Sequence, residues 1–236
     1  MARVVTVAFV ALLSPQSSVA QQDPVRDCRR EGDAARVIRG CTAVIEHGKR
    51  IGGYPEAWVF VNRALAYEQI GEYRKAIVDY DLAIKLDPKN PVGYMIRGNA
   101  YVKLGDFVRG LGDLKHARQI DESDHRIPYN LGVAEESRGN FDAAVSHYSE
   151  AIRLKPDFVN GYNNRANVYC RLERVQESMD DRLASMSLGV TTPRTSQRFL
   201  RALGYYDGPA TASMDAATIN ALRRWTRDGC PQNQRK

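Results

Sequence analysis

Apolar and small residues recur along the middle of the chain with a period of 34 residues. Residues 57–90, 91–124 and 125–158 align without gaps, and a fourth, degenerate copy, 159–190, loses the pattern near its end. A fixed period of this length is typical of arrays in which each copy is one small unit that buries its apolar face against its neighbours. The pattern therefore predicts an all-α chain built from stacked helical hairpins.

Residues at three kinds of repeat position, or slot, explain physically why each copy forms a helical hairpin. Prolines at 88 and 156 stop the second helix of a copy. One glycine per full copy allows the left-handed turn that ends the first helix: Gly71, Gly105 and Gly139. Small residues stand where two helices approach closely: Ala64, Gly98, Gly132 and Ala166. This pattern resembles the tetratricopeptide repeat, a helix–turn–helix unit of 34 residues, over roughly residues 25–189.

The resemblance divides the chain. Residues 21–190 are expected to form the repeat domain, in which 24–56 is a partial unit that carries extra length in a glycine-rich loop, residues 47–56. The fold expected is an all-α solenoid of tetratricopeptide type with a small C-terminal helical module, residues 191–236.

An arginine and an aspartate appear and disappear together along the repeats. The family usually has an apolar residue at the seventh slot, yet three units have arginine there, and the same three have aspartate at the twenty-third slot. The remaining unit has Leu131 and His147 instead. Because these slots lie on the paired helices, we expect structural ion pairs between them: Arg63–Asp79, Arg97–Asp113 and Arg165–Asp181.

The resemblance also implies a binding groove, because the first helix of each unit lines the concave face of such a solenoid. Amides can both donate to and accept from an extended peptide. The predicted partner is accordingly a protein or an extended peptide. The slots with which some relatives grip a ligand carboxylate hold Val61, Met95 and Ile96, so that mode is not expected. The predicted groove residues are Asn62, Asn99, Tyr129, Asn130, Asn163, Asn164 and Asn167.

The N-terminus has the features of a secretory signal peptide. Arg3 precedes an apolar run, Val4 to Leu13, that is too short to span a bilayer, and the small-x-small triplet at 18–20 follows. We expect cleavage after Ala20 and export, most simply to a bacterial periplasm, with no transmembrane segment in the mature chain.

Export makes the four cysteines candidates for disulfides. Relative to the glycine turns, Cys28 and Cys41 occupy the slots of Tyr67 and Tyr80, which face each other across one repeat unit. A Cys28–Cys41 bond is therefore expected to clamp the first helix pair. Whether Cys170 and Cys230 pair is left open.

The C-terminal stretch departs from the period. Thr192-Pro193 predicts a helix start and Gly204 its end, and Asp215 is a candidate cap for a second helix. The apolar residues Phe199, Leu200 and Leu203 form the stripe expected on the first helix, and Ile219, Leu222 and Trp225 that on the second.

Two motifs of this stretch, RFLRALGYYDGPA and the Thr-led segment 218–225, resemble the peptidoglycan-binding domain of bacterial wall hydrolases and wall-anchored proteins. The loop 211–215 departs from the glycine pattern of that family. The resemblance implies contact with peptidoglycan, and the alternative is a cap that only seals the last repeat. The wall-binding candidates are Tyr205, Tyr206, Arg223, Arg224 and Trp225.

The positive charge of the chain is concentrated in the same C-terminal stretch. From 191 to 236 eight arginines and lysines stand against three aspartates, so five of the six net positive charges lie there. Such a surface attracts acidic polymers, and expected export argues against nucleic acid as the partner.

The sequence shows no nucleophile elbow, phosphate-binding loop, H-E-x-x-H motif or converging carboxylate pair, and its four histidines are dispersed. We therefore expect a non-enzymatic scaffold without metal or cofactor. The repeat groove would bind a protein or peptide while the C-terminal module contacts the wall; the alternative is a plain interaction solenoid whose last helices only cap it.

Overall fold

The computed structural model describes residues 23–29, 32–50, 53, 55–188 and 192–229. Within these ranges the chain is all-α and contains no β-strand. The predicted signal peptide, residues 1–20, lies outside them. The helices are α1 Pro24–Cys28, α2 Ala34–Arg50, α3 Ala57–Gln69, α4 Tyr73–Leu86, α5 Pro91–Lys103, α6 Phe107–Ile120, α7 Arg126–Ser137, α8 Phe141–Leu154, α9 Val159–Arg171, α10 Val175–Ser187, α11 Pro193–Ala202 and α12 Ala216–Gly229.

Each hairpin turns through one residue with a left-handed backbone. Gly71, Gly105 and Gly139 have φ angles of 77°, 85° and 81°, as their slot predicts. In the last hairpin the same slot holds Glu173, with a φ of 60°. A residue with a Cβ costs about 1–2 kcal/mol in this region. The packing of α9 on α10 therefore imposes the turn even where glycine is missing.

The repeat helices form two layers. Each helix from α1 to α9 contacts the next helix along the chain, and the first helices α5 and α7 also contact each other. The first helices therefore lie close together on the inner side of the solenoid. The core follows the period, since one slot of the second helices holds Tyr80, Leu114 and Tyr148, all fully buried.

The N-terminal unit is a shortened hairpin held by a disulfide. Cys28 at the end of α1 bonds to Cys41 in α2, with the two Cα atoms 4.5 Å apart. One expectation was wrong here: residues 47–50, assigned to the glycine-rich loop, form the last turn of α2. Lys49 and Arg50 favour that extension, because positive charge is stabilising near a helix C-terminus.

The C-terminal helices have their own small core, which is joined to the last repeat. Leu200, Tyr206 and Leu222 are buried together, and Leu183 and Met186 of α10 pack against them. The prediction of an apolar stripe on α11 was partly wrong, because Phe199 and Leu203 are 49% and 48% exposed. Leu200 takes the inward position. Because successive residues are rotated by about 100° around a helix, Phe199 then points away from the core.

Capping residues of the C-terminal helices match the sequence. Thr192 Oγ1 accepts a hydrogen bond from Thr195 N at 3.3 Å, with Pro193 in the first turn. Asp215 Oδ1 accepts from Thr218 N at 2.7 Å at the start of α12. Cys170 of α9 is 3% exposed; its pairing with Cys230 involves a residue outside the described ranges.

Candidate functional site

Arginine–aspartate pairs join the two helices of three hairpins. Arg63 on α3 donates through Nε and Nη2 to the two carboxylate oxygens of Asp79 on α4, each at 2.7 Å. These hydrogen bonds raise the pKa of Arg63, although burial opposes the shift. The same bidentate contact joins the other two predicted pairs at 2.6–2.8 Å: Arg97–Asp113 and Arg165–Asp181.

The third donor of each arginine makes a contact that sequence reasoning missed. Nη1 reaches back to the second helix of the preceding unit and so ties consecutive hairpins together. The three acceptors share one slot of the period. They are Thr42 Oγ1 for Arg63 at 3.1 Å, Asp81 Oδ1 for Arg97 at 2.6 Å and Ser149 Oγ for Arg165 at 2.7 Å.

The α7–α8 hairpin, which lacks the arginine–aspartate pair, also lacks the acceptor in the preceding unit. Leu131 is fully buried in place of arginine, and His147 replaces the aspartate. The acceptor slot in the unit before it holds Lys115, which has no oxygen to offer. Three positions therefore vary together, and the third could have been found by comparing the acceptor slot across units.

Three of the predicted groove amides are used within the protein. Asn62 Nδ2 donates to the carbonyl oxygen of Cys28 at 3.1 Å, which links α3 to α1. Asn164 Nδ2 donates to the hydroxyl of Tyr129 at 3.0 Å, and Asn167 Oδ1 accepts from Arg182 Nη2 at 3.4 Å. These three side chains hold neighbouring elements in register.

The other three amides are not engaged. Across the described ranges, the side chains of Asn99, Asn130 and Asn163 make no hydrogen bond. Asn99 and Asn130 lie half-buried on α5 and α7, whereas Asn163 on α9 is exposed. Their donors and acceptors are free to meet a ligand.

Tyr129, the remaining predicted groove residue, has one hydrogen-bond partner among the described residues and can still donate to a ligand. Its ring lies 5.7 Å from that of Tyr148 and 5.0 Å from that of Phe158, measured between ring centroids. Burial raises the pKa of Tyr129, so its hydroxyl stays protonated. That hydroxyl accepts the bond from Asn164 and keeps its own proton to donate.

The C-terminal module does not expose all five wall-binding candidates. Tyr206 was wrongly placed among them: it is 2% exposed and its hydroxyl donates to the Pro209 carbonyl at 2.9 Å. An aromatic ring this close to Leu200 and Leu222 serves the core of the module, because burial there removes a large apolar area from water.

Three of the remaining candidates lie on α12 itself. Arg223 and Arg224 are exposed, and Arg224 Nη2 donates to the backbone carbonyl of Tyr205 at 2.6 Å. Trp225 is half-buried, with its ring edge-on to Phe199 at 5.4 Å between centroids. The surface left for a partner is therefore mainly the two arginines and the edge of Trp225.

A buried glutamine holds the loop that departs from the family pattern. Gln197 on α11 is fully buried, and its Nε2 donates to the Ser213 carbonyl at 2.9 Å and to Thr218 Oγ1 at 2.8 Å. Its Oε1 accepts from Thr211 N at 2.6 Å. Side-chain hydrogen bonds thus organise residues 211–218 in place of a glycine turn.

The described residues contain neither a metal-binding cluster nor a membrane-spanning helix. Among the described residues no three or more His, Cys, Asp or Glu side chains are grouped so as to hold a metal ion. In the same ranges, no helix has both the length and the apolar character required to cross a bilayer.

Family models match three parts of the chain. "Tetratricopeptide repeat" matches residues 57–90, "TPR repeat" matches 134–172 and "Putative peptidoglycan binding domain" matches 184–227. The third match begins inside α10, so it includes only the last turn of the helix on which the C-terminal module packs.

Curated relatives share the repeats at low identity. Superkiller complex protein 3 of Mus musculus is 21% identical over 73% of this chain, and tetratricopeptide repeat protein 6 of Homo sapiens is 28% identical over 47%. Hsp70-Hsp90 organizing protein 3 of Arabidopsis thaliana is 25% identical over 51%. The chain spans only 10%, 21% and 28% of these proteins, respectively.

Solved structures show the same fold. MamA from Desulfovibrio magneticus RS-1 superposes with a TM-score of 0.59 at 19% identity, over 70% of this chain and 90% of that one. A second MamA structure gives a TM-score of 0.57 at 21% identity, over 68% and 91%. The matched part is thus a tetratricopeptide-type solenoid.

Proposed function

We propose that this tetratricopeptide-repeat protein with a C-terminal peptidoglycan-binding-like domain is an exported, non-enzymatic bacterial scaffold. Its inner helices bind an extended segment of a partner protein, and its C-terminal module contacts the cell wall. The observation that carries the proposal is the set of amides on the inner helices that make no hydrogen bond among the described residues, together with a basic C-terminal module.

The inner face suits a peptide backbone. Asn99 and Asn130 each offer a donor and an acceptor, and Tyr129 offers a hydroxyl proton. Backbone amides of an extended peptide need the same two functions. Among the relatives, the Arabidopsis protein is named as an organiser of two other proteins, which is a scaffold's role.

Export is supported by the sequence of the N-terminus and by the disulfide. A Cys28–Cys41 bond is stable in oxidising compartments and rare in reducing ones. Contact with the wall is supported by the family match over 184–227 and by the exposed arginines Arg223 and Arg224.

Peptide binding is tested with substitutions that the chain itself uses. The slot of Asn99 holds Leu65 in the preceding unit, and the slot of Asn130 holds Ile96. Asn99→Leu and Asn130→Ile should therefore keep the fold while removing the amides. Random-sequence peptides selected on the chain from Gln21 onward are expected to bind the double variant at least tenfold more weakly. Equal binding would contradict a role for this face.

Wall binding is tested by co-sedimentation with purified peptidoglycan. Arg223→Ala/Arg224→Ala should reduce the sedimented fraction severalfold at moderate salt. The matched control is Arg74→Ala/Arg153→Ala, which removes the same charge from exposed positions on α4 and α8. A chain that does not sediment, or equal loss in both variants, would exclude specific contact through the module.

A plain interaction solenoid with a helical cap is the second candidate. It is favoured by Leu183 and Met186 of α10, which pack into the core of the C-terminal helices. In that case the parent chain binds peptides but does not sediment with the wall.

A further inference from the structure

The last hairpin places a cation where the others are neutral. Arg182 on α10 occupies the slot of Tyr80, Leu114 and Tyr148. Where this slot holds a tyrosine, the first helix supplies a carboxylate at 2.8 Å from the hydroxyl: Glu68 for Tyr80 and Glu136 for Tyr148. The equivalent position on α9 is Cys170, so the last hairpin supplies no carboxylate there.

The guanidinium of Arg182 is only partly satisfied. It lies over the ring of Trp225, 4.7 Å from the centroid, and has one long bond, 3.4 Å, to Asn167. Its Nε is buried and has no acceptor among the described residues. Burial lowers the pKa of Arg182, with no anion to oppose that effect. By contrast, Arg63, Arg97 and Arg165 each hold an aspartate with two bonds.

Arg182 lines a cavity of about 380 Å³ between the last hairpin and the C-terminal module. One part of its wall is apolar, with Met186, Phe199, Leu222 and Trp225. Asn163 and Ser185 add polar groups next to the guanidinium. Phe199 leaves 49% of its surface in water at this place, which an apolar ligand group would cover. The volume is within the range of small-ligand pockets.

We propose that this cavity binds the free C-terminal carboxylate of a peptide whose last residue is apolar, with Arg182 as the anion-binding residue. A guanidinium meets a carboxylate with two parallel hydrogen bonds, which would use the buried Nε–H. The apolar wall takes the last side chain, and the unengaged amide of Asn163 is placed for the adjoining backbone. A single buried cation beside apolar walls suits one negative charge with an apolar group better than it suits a phosphate.

The surrounding charge supports an anion. Within the described residues 192–229 six arginines stand against three aspartates, so the module beside the cavity carries a net positive charge. This site is separate from the inner face of the first repeats, and its test does not depend on wall binding.

The test uses Trp225 as the reporter. The chain has two tryptophans, so Trp58→Phe leaves Trp225 as the only one. Acetylated dipeptides ending in alanine, leucine or phenylalanine are titrated as free acids and as C-terminal amides, and the fluorescence of Trp225 is followed. We expect saturable binding of at least one free acid, with its amide roughly tenfold or more weaker.

Two variants locate the site. Arg182→Gln should weaken the free acid roughly tenfold or more, whereas Arg194→Gln removes the same charge from an exposed position on α11 and should leave binding unchanged. Phe199→Ala should weaken the peptides with larger last residues most. Circular dichroism checks that each variant is folded.

Three results would contradict a carboxylate site at Arg182. No saturable change with any dipeptide, equal binding of acid and amide, or equal loss in the Arg182 and Arg194 variants would each overturn the proposal. If Arg182→Gln does not fold, the comparison of acid with amide on the parent chain decides alone.

Discussion

Three of the arginines packed between repeat helices recur together with their aspartate partners. Arg63, half-buried between α3 and α4, meets a carboxylate that is almost fully buried and also reaches Thr42 of the preceding unit. A buried ion pair of this kind adds little net stability over an apolar pair, but removal of one partner leaves the other without compensation. The pairs are therefore best tested by breaking them on one side only.

Arg63→Leu is expected to lower the free energy of unfolding by about 3 kcal/mol, because Asp79 is left buried and unpaired. Chemical denaturation of the chain from Gln21 onward measures the loss. Leu131 shows that the fold accepts leucine at this slot.

The double variant Arg63→Leu/Asp79→Leu is the control for that experiment. It removes both charges and should recover most of the loss. If the two single losses simply add, the ion pair does not explain the covariation of these slots.

Among the described residues, Glu173 is the one residue other than glycine with a positive φ angle. Its φ of 60° falls in a region where the equivalent slots hold glycine. Glu173→Gly should stabilise the chain by roughly 0.5–1 kcal/mol, since relief of the left-handed strain exceeds the entropy that glycine loses on folding.

The reverse change, Gly105→Glu, is the matched control and should destabilise by about 1–2 kcal/mol. Thermal unfolding of the two variants against the parent measures both effects. A destabilised Glu173→Gly would mean that the glutamate side chain, rather than the turn, matters at this position.

At the scale of helices, the sequence predicts the repeat hairpins well, because tight turns and close helix contacts each require particular small residues at fixed positions. The glycine turns and the small residues at helix contacts recur at equal intervals. The ends of the array were predicted less well. Residues 47–50 became helical and Phe199 stayed half-exposed, since neither has an equivalent in another unit to constrain it.

The hairpin that lacks the ion pair should respond to pH. Burial is the main cause that lowers the pKa of His147, so the folded state binds this proton less readily than the unfolded chain. Stability is therefore full above about pH 6.5 and falls as the pH drops below it. The charged groups that act on His147 are Glu150, Glu135, Arg118 and Lys115.

His147→Gln should flatten that decline, as measured by denaturation at a series of pH values from about 7.5 to 5. Some decline should remain, because burial also lowers the pKa of His125. An unchanged pH profile in the variant would show that His147 titrates alike in the folded and unfolded states.

The disulfide should stabilise the first hairpin in particular. It closes a loop between residues 13 apart in sequence and holds the short helix α1 against α2. Reduction is expected to cost about 2–4 kcal/mol and to raise amide exchange first in α1. Cys28→Ser/Cys41→Ser should match the reduced parent; equal protection of α1 in all forms would contradict a clamp.

For the whole molecule, the inner face was predictable as a face but not residue by residue. Among the described residues, Asn62, Asn164 and Asn167 have hydrogen-bond partners within the protein, whereas Asn99, Asn130 and Asn163 have none. That division depends on side-chain geometry between units. The cavity beside Arg182 could not be predicted, since it lies between the last repeat hairpin and α11 and α12, whose packing on that hairpin follows no repeat slot.

The way in which the module joins the repeats leads to a last prediction. Leu183 and Met186 of α10 are shared between the last hairpin and the core of α11 and α12. In a solenoid each unit is stabilised by its neighbours only. Removal of residues 192–236 should therefore raise amide exchange in α9 and α10 strongly and leave α3 and α4 unchanged. Hydrogen exchange measured by mass spectrometry resolves these segments, and Arg223→Ala/Arg224→Ala, which keeps the buried contacts, should leave all four helices protected. Unchanged protection of α10 after truncation would mean that the module is an independent domain, and the shared core would then not stabilise the repeats.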